Sequence, residues 1–264
     1  TDISDVFISV KTTARNHQLR LRILLNTWIL LAREQTHIFT DTDDPALDKE
    51  RENGVEIINT KCPPNHSRRA LCCKMAIEYD TFLASKKRWF CHVDDDNYVN
   101  IPQLVKLLRQ YNHTQDWYLG KPSLRKPLEI MDRKHSGQKI AFWFGTGGAG
   151  LCISRSLALK MMPYASGGRL MTIGESIRLP DDCTMGYIIS HLMKKQLTVI
   201  EQFHSHLESL NLMSKRDLVN QITYSYKYQD KTKNILNIDG FSIKQDPTRL
   251  WSLHCFLFPT FREC

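Results

Sequence analysis

The sequence has no stretch approaching the roughly 18 apolar residues that a membrane span needs. Its first residues, Thr1-Asp2-Ile3-Ser4-Asp5, carry none of the features of a signal peptide, so any targeting or anchoring segment is expected outside this chain. No Gly-x-Gly-x-x-Gly follows the first apolar run and no Gly-x-x-x-x-Gly-Lys-[Ser/Thr] occurs, which disfavours dinucleotide oxidoreductases and P-loop enzymes. The absence of Cys-x-x-Cys disfavours a zinc knuckle or a thioredoxin-type site. Heptads, short repeats and low-complexity tracts are also missing. The net charge is +8, but no basic stripe interleaved with aromatics accompanies it. Nucleic acid is therefore not the expected partner, and the positive balance suits a diphosphate or an acidic partner equally well.

What is present begins with 264 residues, 42% of them hydrophobic, enough for one substantial core or two fused sub-domains. No linker separates independent domains, so one fused globule is expected. Eight scattered cysteines suit disulfides in an oxidising compartment. The sequons Asn65-His66-Ser67 and Asn112-His113-Thr114 point to the same secretory address.

Short apolar runs at Val6–Val10, Thr36–Thr40, Val55–Ile58 and Trp89–Val93 read as strands. Helical spacing of apolar residues runs from Leu19 to Arg33 (Leu21, Leu24, Leu25, Trp28, Leu31), and a second helix is expected from Ala70 to Leu83. Helices near Ser154–Met162 and Cys183–Met193 and a strand at Leu197–Ile200 follow. Alternating strands and helices imply βαβ units and a mostly parallel sheet. Ligands then bind outside the carboxyl ends of the strands, at Lys11-Thr12-Thr13, Thr40-Asp41 and the residues after Val93.

Asp94-Asp95-Asp96 stands at the third of those positions. Adjacent carboxylates repel one another and cost stability without a cation. Asp94 and Asp96 share a side-chain phase, so an Asp-x-Asp at a strand's end can converge on one ligand. Hard carboxylate oxygens suit Mn²⁺ or Mg²⁺, which bridge diphosphate oxygens. The spaced ligands, glycine and terminal glutamate of an EF-hand are absent from Asn97-Tyr98-Val99-Asn100-Ile101, so calcium is disfavoured.

The segment from Trp89 to Asn100 resembles the metal-binding segment of the fringe glycosyltransferases, and the match continues in order along almost the whole chain. It includes Val10–Thr13, Ile38–Asp41, Cys73-Lys74-Met75 and Gly120–Ser123. Thr146–Gly150, Leu179–Asp182, Phe203–Glu208 and Leu253-His254-Cys255 complete it. Trp117–Pro122 and Leu197-Thr198-Val199 look closest to an invertebrate-type catalytic domain.

The resemblance implies a GT-A-type α/β fold with a mostly parallel central sheet and a fused acceptor-side region. Residues 1–100 would mainly bind the nucleotide sugar, and 101–264 would mainly serve the acceptor and catalysis. It implies UDP-N-acetylglucosamine as donor, Mn²⁺ as cofactor and O-linked fucose on EGF-like repeats of Notch-type receptors as acceptor. The bond would be beta-1,3, formed with inversion. Implied too are the Golgi lumen or secretion as location, and membrane attachment only through an anchor outside this chain.

By motif position Asp96 and His206 would hold the metal, Asp95 and Arg20 would contact the donor, and Asp182 would be the general base. The residues alone leave His204 and His206 equivalent in an extended segment. They also leave Asp181 and Asp182 open as caps of a helix beginning near Thr184. The apolar Ile177, Leu179 and Tyr187 would raise the base toward working pH. Asp94, Thr12, Thr13 and Asp41 would line the donor site, and Lys74 either joins them or is a helix-surface lysine. Gly147 and Gly148 let backbone approach a sugar ring closely, with Trp143 and Phe144 stacking on sugar or packing in the core. Gly145 stands where the usual family segment has alanine.

The implied disulfides are Cys62 with Cys73, Cys91 with Cys152 and Cys255 with Cys264; the spacing itself does not settle any pairing, and Cys72 and Cys183 remain unassigned. Rival readings are a related beta-1,3-galactosyl- or N-acetylgalactosaminyltransferase, an inactive lectin-like binder, and a phosphatase or nuclease. The last lacks Asp-x-Asp-x-Thr after the first strand.

Overall fold

The computed structural model describes residues 1–132, 137–229, 232–262 and 264. Its centre is a seven-stranded sheet. In chain order the strands are β1 (Val6–Lys11), β2 (Thr36–Thr40), β3 (Glu56–Asn59), β4 (Trp89–Asp94), β5 (Tyr118–Gly120), β6 (Leu151–Ser154) and β7 (Thr198–Val199). Across the sheet they run β7-β5-β6-β4-β1-β2-β3. All neighbours are parallel except β6, which is antiparallel to both β4 and β5. The expected mostly parallel α/β sheet is therefore present, with one reversed strand at its middle.

That reversal decides where the site forms. β1, β2 and β4 end on one edge at Lys11, Thr40 and Asp94, whereas β6 begins there, with Leu151 opposite His92. The glycine-rich segment entering β6 is thereby delivered to the edge where the carboxylates leave β4.

Strand alternation divides two cores. Val6, Ile8, Val10, Trp89, Cys91 and Val93 join Leu24, Trp28, Leu104 and Tyr224 on one face. Phe7 and Phe90 face the other way, onto Tyr79 and Phe82 of helix α1 (Arg68–Ser85). Ser67 caps that helix by accepting the Ala70 N–H at 3.3 Å. The second face carries three polar intruders. Ser9 and His92 both contact the buried Glu78 carboxylate of α1, at 2.7 and 2.6 Å, and Lys11 closes the row.

The single helix expected over Leu19–Arg33 is not formed. The segment is a wide π turn (His17–Leu21), one α turn (Arg22–Leu25) and 3₁₀ turns at Trp28–Leu31 and Arg33–Gln35. Thr27 breaks it by donating its hydroxyl to the Ile23 carbonyl at 2.7 Å, a local bond that competes with the helix ladder. The break lets the buried Trp28 indole donate to the Asn97 carbonyl at 3.1 Å, so the segment braces the acidic turn.

Downstream, α2 (Arg155–Ala165) and α3 (Arg169–Ile177) pack behind the second face, and α4 begins at Asp181, not near Thr184. It runs to Gly186 and widens into a π turn over Tyr187–Leu192. Three disulfides, Cys62–Cys73, Cys91–Cys152 and Cys255–Cys264, are the pairs the resemblance implies. The second cross-links directly opposed residues of β4 and β6. Cys72 and Cys183 are free and buried. Among the described residues no helix is long and apolar enough to cross a membrane.

Candidate active site

A cleft of about 210 Å³ opens at the carboxyl edge of the sheet. One wall comes from the ends of β1 and β2. Thr13 donates to Asp41 at 2.5 Å, and Lys74 donates both to Asp41 and to the Thr12 carbonyl, each at 2.7 Å. Lys74 is buried, so it is not a helix-surface lysine. Burial alone would raise Asp41, but the bonds from Lys74, Thr13 and the Ala14 N–H outweigh it and keep the carboxyl below its ordinary range.

Beyond Asp94 the chain turns instead of remaining extended, with the Asn97 N–H on the Asp94 carbonyl at 3.1 Å. The shared phase expected for Asp94 and Asp96 therefore does not apply: Asp94 turns to Lys11, while Asp95 and Asp96 share Arg20. Asp94 sits 3.1 Å from the Lys11 ammonium. Asp95 accepts from Thr12 and Asn16, both at 2.8 Å, and from Arg20 at 3.1 Å. Asp96 faces Arg20 at 3.4 Å and His206 Nδ1 at 3.6 Å. Burial and repulsion from Asp94 and Asp95 outweigh Arg20 and push the Asp96 carboxyl up to about 8.

His204 and His206 are separated by the fold. The chain turns at His206, and His204 is held away from the cleft by Glu208 at 3.1 Å and Gln221 at 2.8 Å. His206 remains in the cleft, its carbonyl anchored by the Asn234 amide at 2.8 Å. Burial holds its imidazole below the ordinary range and hence neutral.

The glycine segment lies beside Asp94 and His206 of the cleft. A Cβ on Gly148 would come within 3.8 Å of His206 and 3.9 Å of Asp94, and a Cβ on Gly147 within 3.4 Å of Asp182. Two consecutive residues, about 3.8 Å apart at Cα, thus touch the acidic turn and the start of α4. The Gly147 N–H donates to Asp182 Oδ2 at 3.1 Å, and the Cys183 N–H to Oδ1 at 2.7 Å. Asp182 is half-buried; desolvation and the neighbouring Asp181 outweigh those bonds and Lys11, and lift its carboxyl above the ordinary range. Asp181 is instead committed to Lys11. Leu179 and Tyr187 pack with Phe144 and Cys183 beside this turn. Phe144 is core, whereas Trp143 is 36% exposed.

Both sequon asparagines are exposed; Asn65 stands at the rim of the cleft, and Asn112 lies in a turn before β5.

The groups that fix this constellation carry no assigned role in the sequence, where Lys11 figures only as a strand-end position. Lys11 is one, and the buried Glu78–His92 pair beneath Asp94 is another. Asn97 is a third, bonding the Asp94 N–H at 3.1 Å and the Gly148 carbonyl at 2.9 Å. A signal for them exists: a histidine inside the apolar run Trp89–Val93 and a lysine closing Val6–Val10 are polar side chains where only burial is available.

Comparison with known proteins gives a consistent answer. A family model described as Fringe-like matches residues 1–261. The chain is 54% identical over 267 residues to a "Fringe glycosyltransferase" of Drosophila melanogaster, covering all of this chain and 64% of the fly protein. It is 54% identical to "Beta-1,3-N-acetylglucosaminyltransferase lunatic fringe" of Danio rerio, across 100% of this chain and 71% of that one. To the Homo sapiens protein of that description it is 50% identical, across 98% of this chain and 69% of the human one.

Proposed function

Since the chain belongs to the Fringe-like family, we propose that it transfers N-acetylglucosamine from UDP-N-acetylglucosamine, with inversion and in beta-1,3 linkage, to O-linked fucose. The acceptor we propose is the O-fucosylated EGF-like repeat of Notch-type receptors, and the location the Golgi lumen or, after release, outside the cell. Disulfide bonding suits that oxidising route. Residues 1–100 mainly serve the donor and 101–264 mainly the acceptor and catalysis, with His206 crossing to the donor side. The observation that carries the reading is the Gly147–Gly148 pair, in which Gly147 lies against the raised Asp182 carboxyl and Gly148 against His206 and Asp94 of the cleft.

The residues present fit a divalent cation. Asp96 Oδ1 and His206 Nδ1 are buried and have no hydrogen-bond partner among the described residues. A carboxyl oxygen that ionises when a cation binds and a neutral imidazole nitrogen suit Mn²⁺. Among the described residues no three His, Cys, Asp or Glu side chains form a complete cage. That is the donor set expected where substrate phosphates and water supply the remaining positions. When bound, the metal neutralises charge developing on the departing diphosphate.

The protein's own groups then have distinct tasks. Arg20, held by Asp95 and Asp96, offers a guanidinium to phosphate oxygens. Thr12, Thr13, Asp41 and Lys74 shape the nucleotide wall. Asp182 takes the proton of the acceptor hydroxyl as its oxygen bonds to the anomeric carbon, and the bond to the diphosphate breaks with its electron pair on UDP. Its two backbone donors leave a lone pair free on each oxygen for that proton.

The test is a donor screen on a fucosyl acceptor with Mn²⁺, the product's linkage read by NMR. Transfer from UDP-N-acetylglucosamine to the fucose 3-hydroxyl is expected. Preferential transfer from UDP-galactose or UDP-N-acetylgalactosamine would overturn the donor assignment.

A further inference from the structure

A second, larger depression of about 640 Å³ lies outside the cleft just described. Phe142 forms its buried base, and Pro122, Leu197, Trp143 and Val199 line it. Trp143 and Val199 are 36% and 49% exposed, which leaves apolar surface uncovered. Lys194 stands at the same depression, exposed and without a carboxylate partner among the described residues. Its neighbour Lys195 is already neutralised by Asp116 at 2.8 Å.

This depression is fixed relative to Asp182. Ser190 donates its hydroxyl to the Trp143 carbonyl at 3.0 Å. Phe144 lies so close to Gly186 that a Cβ there would come within 2.2 Å of the Phe144 Cβ. The 142–144 segment is therefore locked onto the helix that begins at Asp181-Asp182, and Gly147 follows three residues later.

The lining selects the kind of occupant. A sugar ring carries hydroxyls around its edge and needs several polar partners, but here the Ser190 hydroxyl and the Lys195 ammonium are already engaged, which leaves Gln196 and Lys194 as the polar side chains at this lining. Exposed apolar surface with a free cation suits a polypeptide presenting an apolar side chain beside a carboxylate.

We infer that this groove docks the protein that bears the acceptor sugar, with an apolar side chain against Trp143 and Val199 and an acidic one facing Lys194. The inference rests on the glycosyl-transfer reading above. It makes the groove the element that distinguishes a protein acceptor from a free glycoside.

The experiment compares two acceptors, p-nitrophenyl fucoside and a folded O-fucosylated EGF-like domain, with Val199→Glu and Lys194→Glu. Unchanged melting temperatures control for folding. Each variant is expected to lose about tenfold in kcat/KM on the folded domain, the scale of one good interface contact. Turnover of the fucoside and the KM for donor are expected to stay within about twofold. Added salt is expected to narrow the Lys194→Glu deficit, because the lost attraction is screened. Surface plasmon resonance on the folded domain reads the same loss of affinity without turnover. Equal falls on both acceptors would make the groove part of the sugar site, and undiminished binding of the folded domain would remove it from recognition; either overturns the inference. Failure of the transfer reading looks different, since the unmodified chain would turn over neither acceptor while the binding comparison still reports on the groove.

Discussion

The Lys11 ammonium lies 2.5 Å from the Asp181 carboxylate, 170 residues away in sequence, and 3.1 Å from Asp94. One buried cation thus ties the end of β4 to the first turn of the helix bearing Asp182. Burial alone would lower the lysine, but Asp181 and Asp94 reverse this and keep it charged.

Lys11→Met leaves the buried Asp181 carboxylate uncompensated and the partly exposed Asp94 with His92 alone, and breaking such a buried pair costs about 3–5 kcal/mol. Chemical denaturation is expected to show a loss of that order. Lys11→Met combined with Asp181→Asn is expected to recover part of it; a double variant no more stable than Lys11→Met would mean that the bridge does not set the stability of this edge.

Asp182→Asn keeps the side chain's size and can still accept one of the Gly147 and Cys183 N–H groups through its single carbonyl oxygen, but it removes the basicity. Transfer is expected to fall by about 10² or more, with donor affinity little changed. Because burial and Asp181 raise this carboxyl, the proton is lost at higher pH than from an ordinary aspartate. The rate of the unmodified enzyme should therefore climb as pH rises through the raised value, and the residual rate of Asp182→Asn should lack that limb. Near-normal transfer by the variant would shift the assignment to Asp181.

Removing the metal with EDTA is expected to abolish transfer, and Mn²⁺ to restore it. Asp96→Asn and His206→Gln should lose this response, with donor binding weakened in titration calorimetry. His204→Gln should keep it, since His204 faces Glu208 and Gln221. A His204→Gln enzyme that no longer answers to Mn²⁺ would reverse the histidine assignment.

Acid stability has an identifiable contributor at Asp116. Burial would raise its carboxyl, yet hydrogen bonds from Lys160, Lys195 and Ser156 hold it at about 2 against an ordinary 3.8. A depressed folded value stabilises above the unfolded one and is lost as pH falls through the folded one, so the contribution is complete above about pH 4 and gone below about pH 2. Asp116→Asn should cost about 1 kcal/mol at neutral pH, after screening by solvent around the partly exposed lysines. Thermal melts should show the two proteins converging near pH 2; a gap constant down to that pH would mean the ion pairs contribute nothing.

The local pattern of this protein was legible in the sequence. Thr36–Thr40 is a strand with the expected ends, and β1, β4 and α1 start and stop within two residues of the apolar runs that specify them. Apolar alternation and turn residues act over a few positions, so they can be read without knowing what lies opposite. The strand-end rule likewise directed attention to Thr12, Thr13, Asp41 and Asp94–Asp96, since a parallel sheet must collect those ends on one edge.

What only the tertiary structure decided depends on groups distant in sequence. Periodicity could not show that Leu19–Arg33 breaks, because the break serves a Trp28–Asn97 bond made 69 residues away. The phase of Asp94 and Asp96 failed because a turn, not a strand, follows Asp94. His204 and His206 differ only through Glu208, Gln221 and Asp96, which the fold places on opposite sides of their loop. Lys11 reads as an ordinary strand-end lysine until Asp94 and Asp181 arrive on either side of it. The reason is physical: backbone periodicity is local, whereas a charge becomes functional through the desolvation and partners that only the assembled edge supplies.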